Sequence, residues 1–269
     1  MRYPAIIALL VTLISTSASI GHEFWISPNN YVVQPGETLT AHLRVGQKFD
    51  GFAFGYFPPR FARFDVVQGD EVVPVPGRIG DRPALKITLP SAGLWVVVHE
   101  TTDSILTYDD FSTFEGFVIH KELGNTLARH AERGLPLTGF SEDYRRYAKS
   151  LIAVGDGQGA DREVGMRTEI VAELNPYTDN VAGGMRVRVL LESAPRADTL
   201  VEIFDRGPGG DVNVTTTRTD ADGRAVFAVQ KGHEYLVDAV YMEALFPLAG
   251  IPGSVWKSHW AALTFMVPE

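Results

Sequence analysis

Alternation of apolar and polar positions runs through most of the chain. Leu39, Ala41, Leu43 and Val45 alternate with Thr40, His42 and Arg44 just after a Pro35-Gly36 turn. That pattern predicts a half-buried strand with His42 on its polar face. Residues 84–89 alternate likewise and stop at the turn cluster Pro90-Ser91-Ala92-Gly93. Residues 94–100 are apolar on both parities, the pattern of a central strand covered on both faces. Further on, Met185, Val187, Val189 and Leu191 alternate with Arg186 and Arg188. Residues 200–204, 225–229, 235–242 and 261–267 predict more strands, and Asp220-Ala221-Asp222-Gly223 a hairpin turn.

Three stretches break this rhythm. In residues 112–153, Phe114, Phe117, Val118, Leu123 and Leu127 follow helical spacing. A second helix is expected from Ser141 as N-cap, with Tyr144, Tyr147, Ala148, Leu151 and Ile152 as its apolar stripe and Arg145, Arg146 and Lys149 on its polar face. Residues 155–162 carry glycine at alternate positions and no large apolar side chain, which reads as a linker. Residues 49–64 are rich in phenylalanine and are expected to cover the core or to form an exposed partner-binding loop. The expected fold is therefore mainly β: two immunoglobulin-like or carboxypeptidase-regulatory-like β-sandwich domains with a short helical segment between them. The boundaries fall at 22–153 (helical over about 112–153), a linker at 154–165, and 166–269.

The first 21 residues change the picture. One early charge, Arg2, is followed by an apolar run at residues 5–14 and then by small residues ending Ser19-Ile20-Gly21. This is the layout of a secretory signal, too short to remain as a membrane span. Cleavage after Gly21 makes His22 the first residue of a periplasmic or secreted chain. Composition agrees with a folded protein: 269 residues, 45% hydrophobic, with a net charge of −9. The acidity argues against nucleic acid as a partner. The absence of cysteine removes disulfides and thiolate chemistry, so a transition metal would need His, Asp, Glu, Met or the terminal amine. No second apolar run reaches membrane-spanning length.

An N-terminal histidine offers its α-amine and its ring Nδ1 to one metal ion, and one more imidazole completes a set suited to Cu(II) or Ni(II). Against this stands a simpler reading, in which His22 only begins a strand. The candidate partners are His99 with its neighbour Glu100 at the end of a buried strand, and His259, which shares parity with Ala261, Leu263 and Phe265. His120 and His130 are too far apart along a helix to share an ion. Asp220 to Gly223 lacks the remaining oxygen positions of a calcium loop. No nucleophile elbow, phosphate loop or His-Glu-x-x-His stretch is present.

The chain resembles the DUF4198 family. The likeness is carried by His22-Glu23-Phe24-Trp25-Ile26-Ser27-Pro28 after the leader, by Gly93-Leu94-Trp95-Val96, by Tyr144-Arg145-Arg146-Tyr147-Ala148-Lys149 and by Trp260-Ala261-Ala262-Leu263-Thr264-Phe265. The resemblance implies a periplasmic component related to nickel and cobalt uptake, with a membrane metal transporter as partner. It also implies a histidine in relatives where this chain has Tyr241. The leading expectation is a non-enzymatic, exported protein that handles nickel, cobalt or copper, with His22, His99, Glu100 and His259 as ligands. Two alternatives stand beside it: a copper-dependent oxidase with an N-terminal histidine chelate, and an envelope binding or scaffold module without metal.

Overall fold

A 15-residue strand, Phe140–Val154, runs through the middle of the computed structural model, which describes residues 21–248 and 253–269. In chain order the strands before it are β1 (Glu23–Pro28), β2 (Val32–Val33), β3 (Thr38–Gln47), β4 (Asp50–Phe54), β5 (Phe61–Gln68), β6 (Glu71–Pro74), β7 (Leu85–Thr88), β8 (Gly93–Thr101) and β9 (Ser104–Tyr108). Two short helices follow, α1 (Phe111–His120) and α2 (Thr126–Glu132), and then the long strand itself, β10. The remainder is β11 (Thr168–Ala172), β12 (Met185–Leu191), β13 (Ala194–Pro195), β14 (Leu200–Arg206), β15 (Val212–Arg218), β16 (Arg224–Phe227), β17 (Glu234–Ala244) and β18 (Trp256–Met266). The expected leader, residues 1–21, lies outside the described residues except for Gly21.

Among the described residues, three sheets form three layers. The central sheet has ten strands, in the order β15-β14-β17-β18-β10-β8-β5-β6, with β2 and β9 also pairing to β10. On one face lies a sheet of β1, β3, β4 and β7, and on the other a sheet of β11, β12, β13 and β16. Alternation along β10 assigns its side chains to the two interfaces. Ala148, Ile152 and Val154 enter the core shared with Trp25, Ile26, Leu43 and Leu85, while Tyr147 and Leu151 enter the core shared with Ile170, Val187 and Val189. The architecture is thus mainly β and sandwich-like, as expected. One central sheet serves both sandwiches. It draws strands from both sides of residues 154–165, and β10 pairs in parallel with β18, from Glu142↔Trp256 to Ser150↔Thr264. Residues 155–161 pack against it, with the Leu94 amide donating to the Gln158 carbonyl and Asp161 reaching the Lys149 ammonium at 2.7 Å.

The second expected helix is a strand. From Arg146 to Val154 β10 is buried on both faces, so apolar residues occupy both parities and the period of two disappears from the sequence. What remains, Tyr144, Tyr147, Ala148, Leu151 and Ile152, happens to match helical spacing. Among the described residues, α-helix is confined to α1 and α2. Asp110 caps α1 by accepting from the Ser112 amide at 3.1 Å, and Phe114, Phe117 and Val118 bury its inner face. These pack on Trp256 and Trp260, with Phe117 stacked on Trp260 at 5.3 Å. The turn at 220–223 forms as read, with Gly223 at φ 74°, but β16 pairs with β12 and not with β15, so it is no hairpin.

Candidate functional site

Strand β1 sets the site. It pairs antiparallel with β3, Glu23 facing Gly46 and Phe24 facing Val45. A Cβ on Gly46 would collide with the Asp50 carbonyl and the Gly51 Cα, so glycine is what lets β3 and β4 close tightly here. At the head of β1, His22 is exposed and its ring has no hydrogen bond or ion pair among the described residues. The other six histidines differ. His120 pairs with Glu202 at 3.0 Å, His130 meets Trp256 and the Pro136 carbonyl, His233 meets Asp205, and His42, His99 and His259 are wholly or partly buried.

Two adjoining cavities open beside this strand. The first, about 550 Å³, has Phe24, Val45, Phe54, Phe57, Phe61 and Ile79 among its walls. The second, about 430 Å³, is bordered by His22, Asp109, Asp110, Glu142 and Trp260. Val45, Tyr144 and Arg146 line both. Glu142 is buried and accepts from Tyr108 Oη at 2.7 Å and from Ser258 Oγ. Burial raises its carboxyl to about 7 despite those two donors. Asp110 is committed to capping α1, and bonds from Ser112 hold its carboxyl below the ordinary value. Asp109 is exposed and has no partner among the described residues.

Beneath His22 lies a buried charge cluster. Lys121, the C-cap of α1, sends its ammonium to Glu23 at 3.1 Å, to Asp238 at 2.9 Å and to Glu202. All four side chains are buried. Burial alone would lower the lysine, but the three carboxylates outweigh it and push it above its usual value. Burial raises Glu23 to about 7, against the pull of Lys121, and raises Asp238 as well. One oxygen of each, Glu23 Oε2 and Asp238 Oδ1, is buried without a partner. The three carboxylates offer oxygens within 4.8 Å of one another, a geometry that could hold a metal, yet a lysine ammonium already stands among them.

A family model described as "Domain of unknown function (DUF4198)" matches residues 19–243. The chain belongs to the DUF4198 family. No curated protein matches it. Among solved structures this DUF4198 chain is similar to the D0-D1 domain of intimin, with 14% identity over 92% of this chain and 100% of that one, at a TM-score of 0.23. It is also similar to a tetra-tandem repeat from the extending region of a large adhesion protein, with 11% identity over 91% of this chain and 49% of that one, at a TM-score of 0.22. An α-2-macroglobulin from Escherichia coli gives 15% identity over 92% of this chain and 16% of that one, at 0.23.

The expected ligands of the DUF4198 chain do not converge. No three of His22, His99, Glu100 and His259 bring ligand atoms within 4.8 Å of one another. His99 is 1% exposed, stacked on Phe24 at 5.5 Å and edge-on to Phe61 and Phe64, and burial lowers its imidazole to about 3. It lines the first cavity, whereas His22 lines the second. Glu100 pairs with Arg145 at 3.1 Å. His259 faces inward, as its parity suggests, held by Tyr147 Oη at 3.1 Å and Glu243 at 3.0 Å. Sequence reasoning passed over Lys121 and placed Arg146 on a solvated helix face. The available signal for Arg146 was its shared parity with Tyr144, Ala148 and Ile152.

Proposed function

We propose that this DUF4198 protein is an exported, non-catalytic binder of one divalent transition-metal ion, anchored at His22. The observation that carries the reading is the state of the His22 ring: exposed, uncommitted, and at the border of a cavity that also presents the unpaired Asp109 carboxylate. Once the leader is removed after Gly21, the His22 α-amine and Nδ1 chelate the ion and Asp109 adds an oxygen. Amine, imidazole and carboxylate together suit Cu(II) or Ni(II). The buried Glu23, Glu202 and Asp238 are not the site, because Lys121 already supplies their cation. The role implied by the family resemblance is delivery of the ion to a membrane transporter.

The test is calorimetric titration of Cu(II), Ni(II) and Co(II) into protein whose start at His22 has been verified by mass spectrometry. One ion per chain is expected. A version with one extra N-terminal alanine should bind at least about tenfold more weakly, and Asp109→Asn should weaken binding by a smaller factor. Equal affinity in the extended version would overturn the reading.

A further inference from the structure

The first cavity carries a separate inference. The protein bears a net charge of −9, yet no aspartate or glutamate lines this cavity, while three arginines do: Arg60, Arg82 and Arg146. Arg60 and Arg82 are exposed. Arg60 makes one long bond to Ser104 at 3.4 Å, and Arg82 has no partner among the described residues. Arg146 is 8% exposed, its guanidinium lies 4.0 Å from the Trp260 ring, and its Nη1 is buried with no acceptor. A buried guanidinium donor without an acceptor is a costly arrangement, and a carboxylate is the acceptor its fork geometry suits.

Much of the remaining wall is apolar, with Thr101 and Ser104 among its polar members. Phe24, Val45 and Phe61 form the interior, and Phe54, Phe57 and Ile79 stand 48%, 44% and 71% exposed. Large apolar side chains held in water around an opening mark a binding surface. A cavity of about 550 Å³ falls in the range of small-molecule sites. We propose that this cavity binds a single-chain amphiphilic anion. Its carboxylate pairs with the Arg146 guanidinium, its chain runs along Phe24 and Phe61, and its end leaves between Phe57 and Ile79. Arg60 and Arg82 draw the anion in and discriminate against cationic amphiphiles. The neutral His99 ring, stacked behind Phe24, keeps that wall uncharged.

The experiment is displacement of a fluorescent fatty acid from the metal-free protein in the presence of a chelator, so that its outcome is independent of binding at His22. The competitors are dodecanoate, dodecanol and dodecyltrimethylammonium. Dodecanoate should compete saturably, about tenfold or more better than dodecanol, the factor expected for a hydrogen bond to a charged group. The trimethylammonium compound should compete least. Arg146→Gln should bring dodecanoate down to the level of dodecanol. Because Arg146 is buried, the double variant Phe57→Glu with Ile79→Glu, at exposed positions, is the control for folding. It should weaken dodecanoate by about tenfold or more while leaving the melting temperature unchanged. The proposal is overturned if dodecanoate and dodecanol compete equally, if the double variant binds like the native protein, or if the protein binds phosphatidylglycerol vesicles but no monomeric dodecanoate.

Discussion

Replacing Lys121 by methionine tests the buried cluster directly. The native ammonium is the partner that Glu23, Glu202 and Asp238 share, and all four side chains lie out of water. Methionine keeps most of the stem and removes the charge, leaving three buried carboxylates with only His120, beside Glu202, and the nearby Arg146 as cationic neighbours. Breaking a buried ion pair from one side costs about 3–5 kcal/mol, and that is the loss expected at pH 8. The loss should shrink on acidification. Burial already holds Glu23 at about 7 with Lys121 present, and removing the cation raises it further. The variant's folded state then binds more protons than its unfolded state, so its stability rises as pH falls. Each carboxylate that takes up a proton in the folded state returns about 1.4 kcal/mol per pH unit. Glu23 of the native protein, at about 7, takes up its proton within the same window, so the gap between the two proteins should narrow by about 1–2 kcal/mol between pH 8 and pH 6. Urea unfolding followed by tryptophan fluorescence measures it. Adding Glu23→Gln and Asp238→Asn should restore most of the loss at pH 8. In the single variant the three carboxylates are free to take a divalent ion, so Mn(II) should raise its Tm and leave that of the native protein unchanged. A Lys121→Met protein as stable as the native one at pH 8, or a gap that does not change with pH, would refute this account.

Two further outcomes follow from the same structure. His99 is neutral when folded, at about 3 against 6.5 in the unfolded chain, so the unfolded state binds the extra proton and stability falls as pH drops below 6.5. His99→Phe, a ring among Phe24, Phe61 and Phe64, should gain about 2 kcal/mol relative to the native protein between pH 8 and pH 5, measured by urea unfolding at both values. Gly46→Ala should cost about 1–3 kcal/mol, because its Cβ meets backbone on β4 that cannot move aside; thermal unfolding measures it, and full native stability would show that the β3–β4 pair has slack.

Much of the layering was legible because a half-buried strand writes its environment into its parity. β3 and β12 alternate and were read correctly, and β8, apolar on both parities, was read as central. β10 failed for an instructive reason. A strand sandwiched between two cores needs apolar or paired side chains on both faces, and Lys149, fully buried against Asp161 and Glu169, looks like solvated polarity in the sequence. Of the candidate site, only His22 is legible in the sequence. Glu23, one position on, finds its counter-charge 98 residues away in Lys121, with Glu202 and Asp238 farther still, and local pattern does not encode such distances. The phenylalanine-rich stretch was expected to cover the core or to be an exposed loop. It does part of each, with Phe49 and Phe64 buried and Phe52, Phe54 and Phe57 exposed.

The pairing of β18 has a consequence for how the molecule is made. This strand sits between β10 and β17, near the middle of the widest sheet, yet it is the last element of the described chain to leave the ribosome. Until it arrives, two long neighbours wait with bare edges, each able to recruit the wrong partner. β18 must therefore be made, and carried across any membrane the chain crosses, before the sheet can close. A product stopped short of Trp256 would be a pair of open edges, prone to aggregate, instead of a smaller version of the same protein.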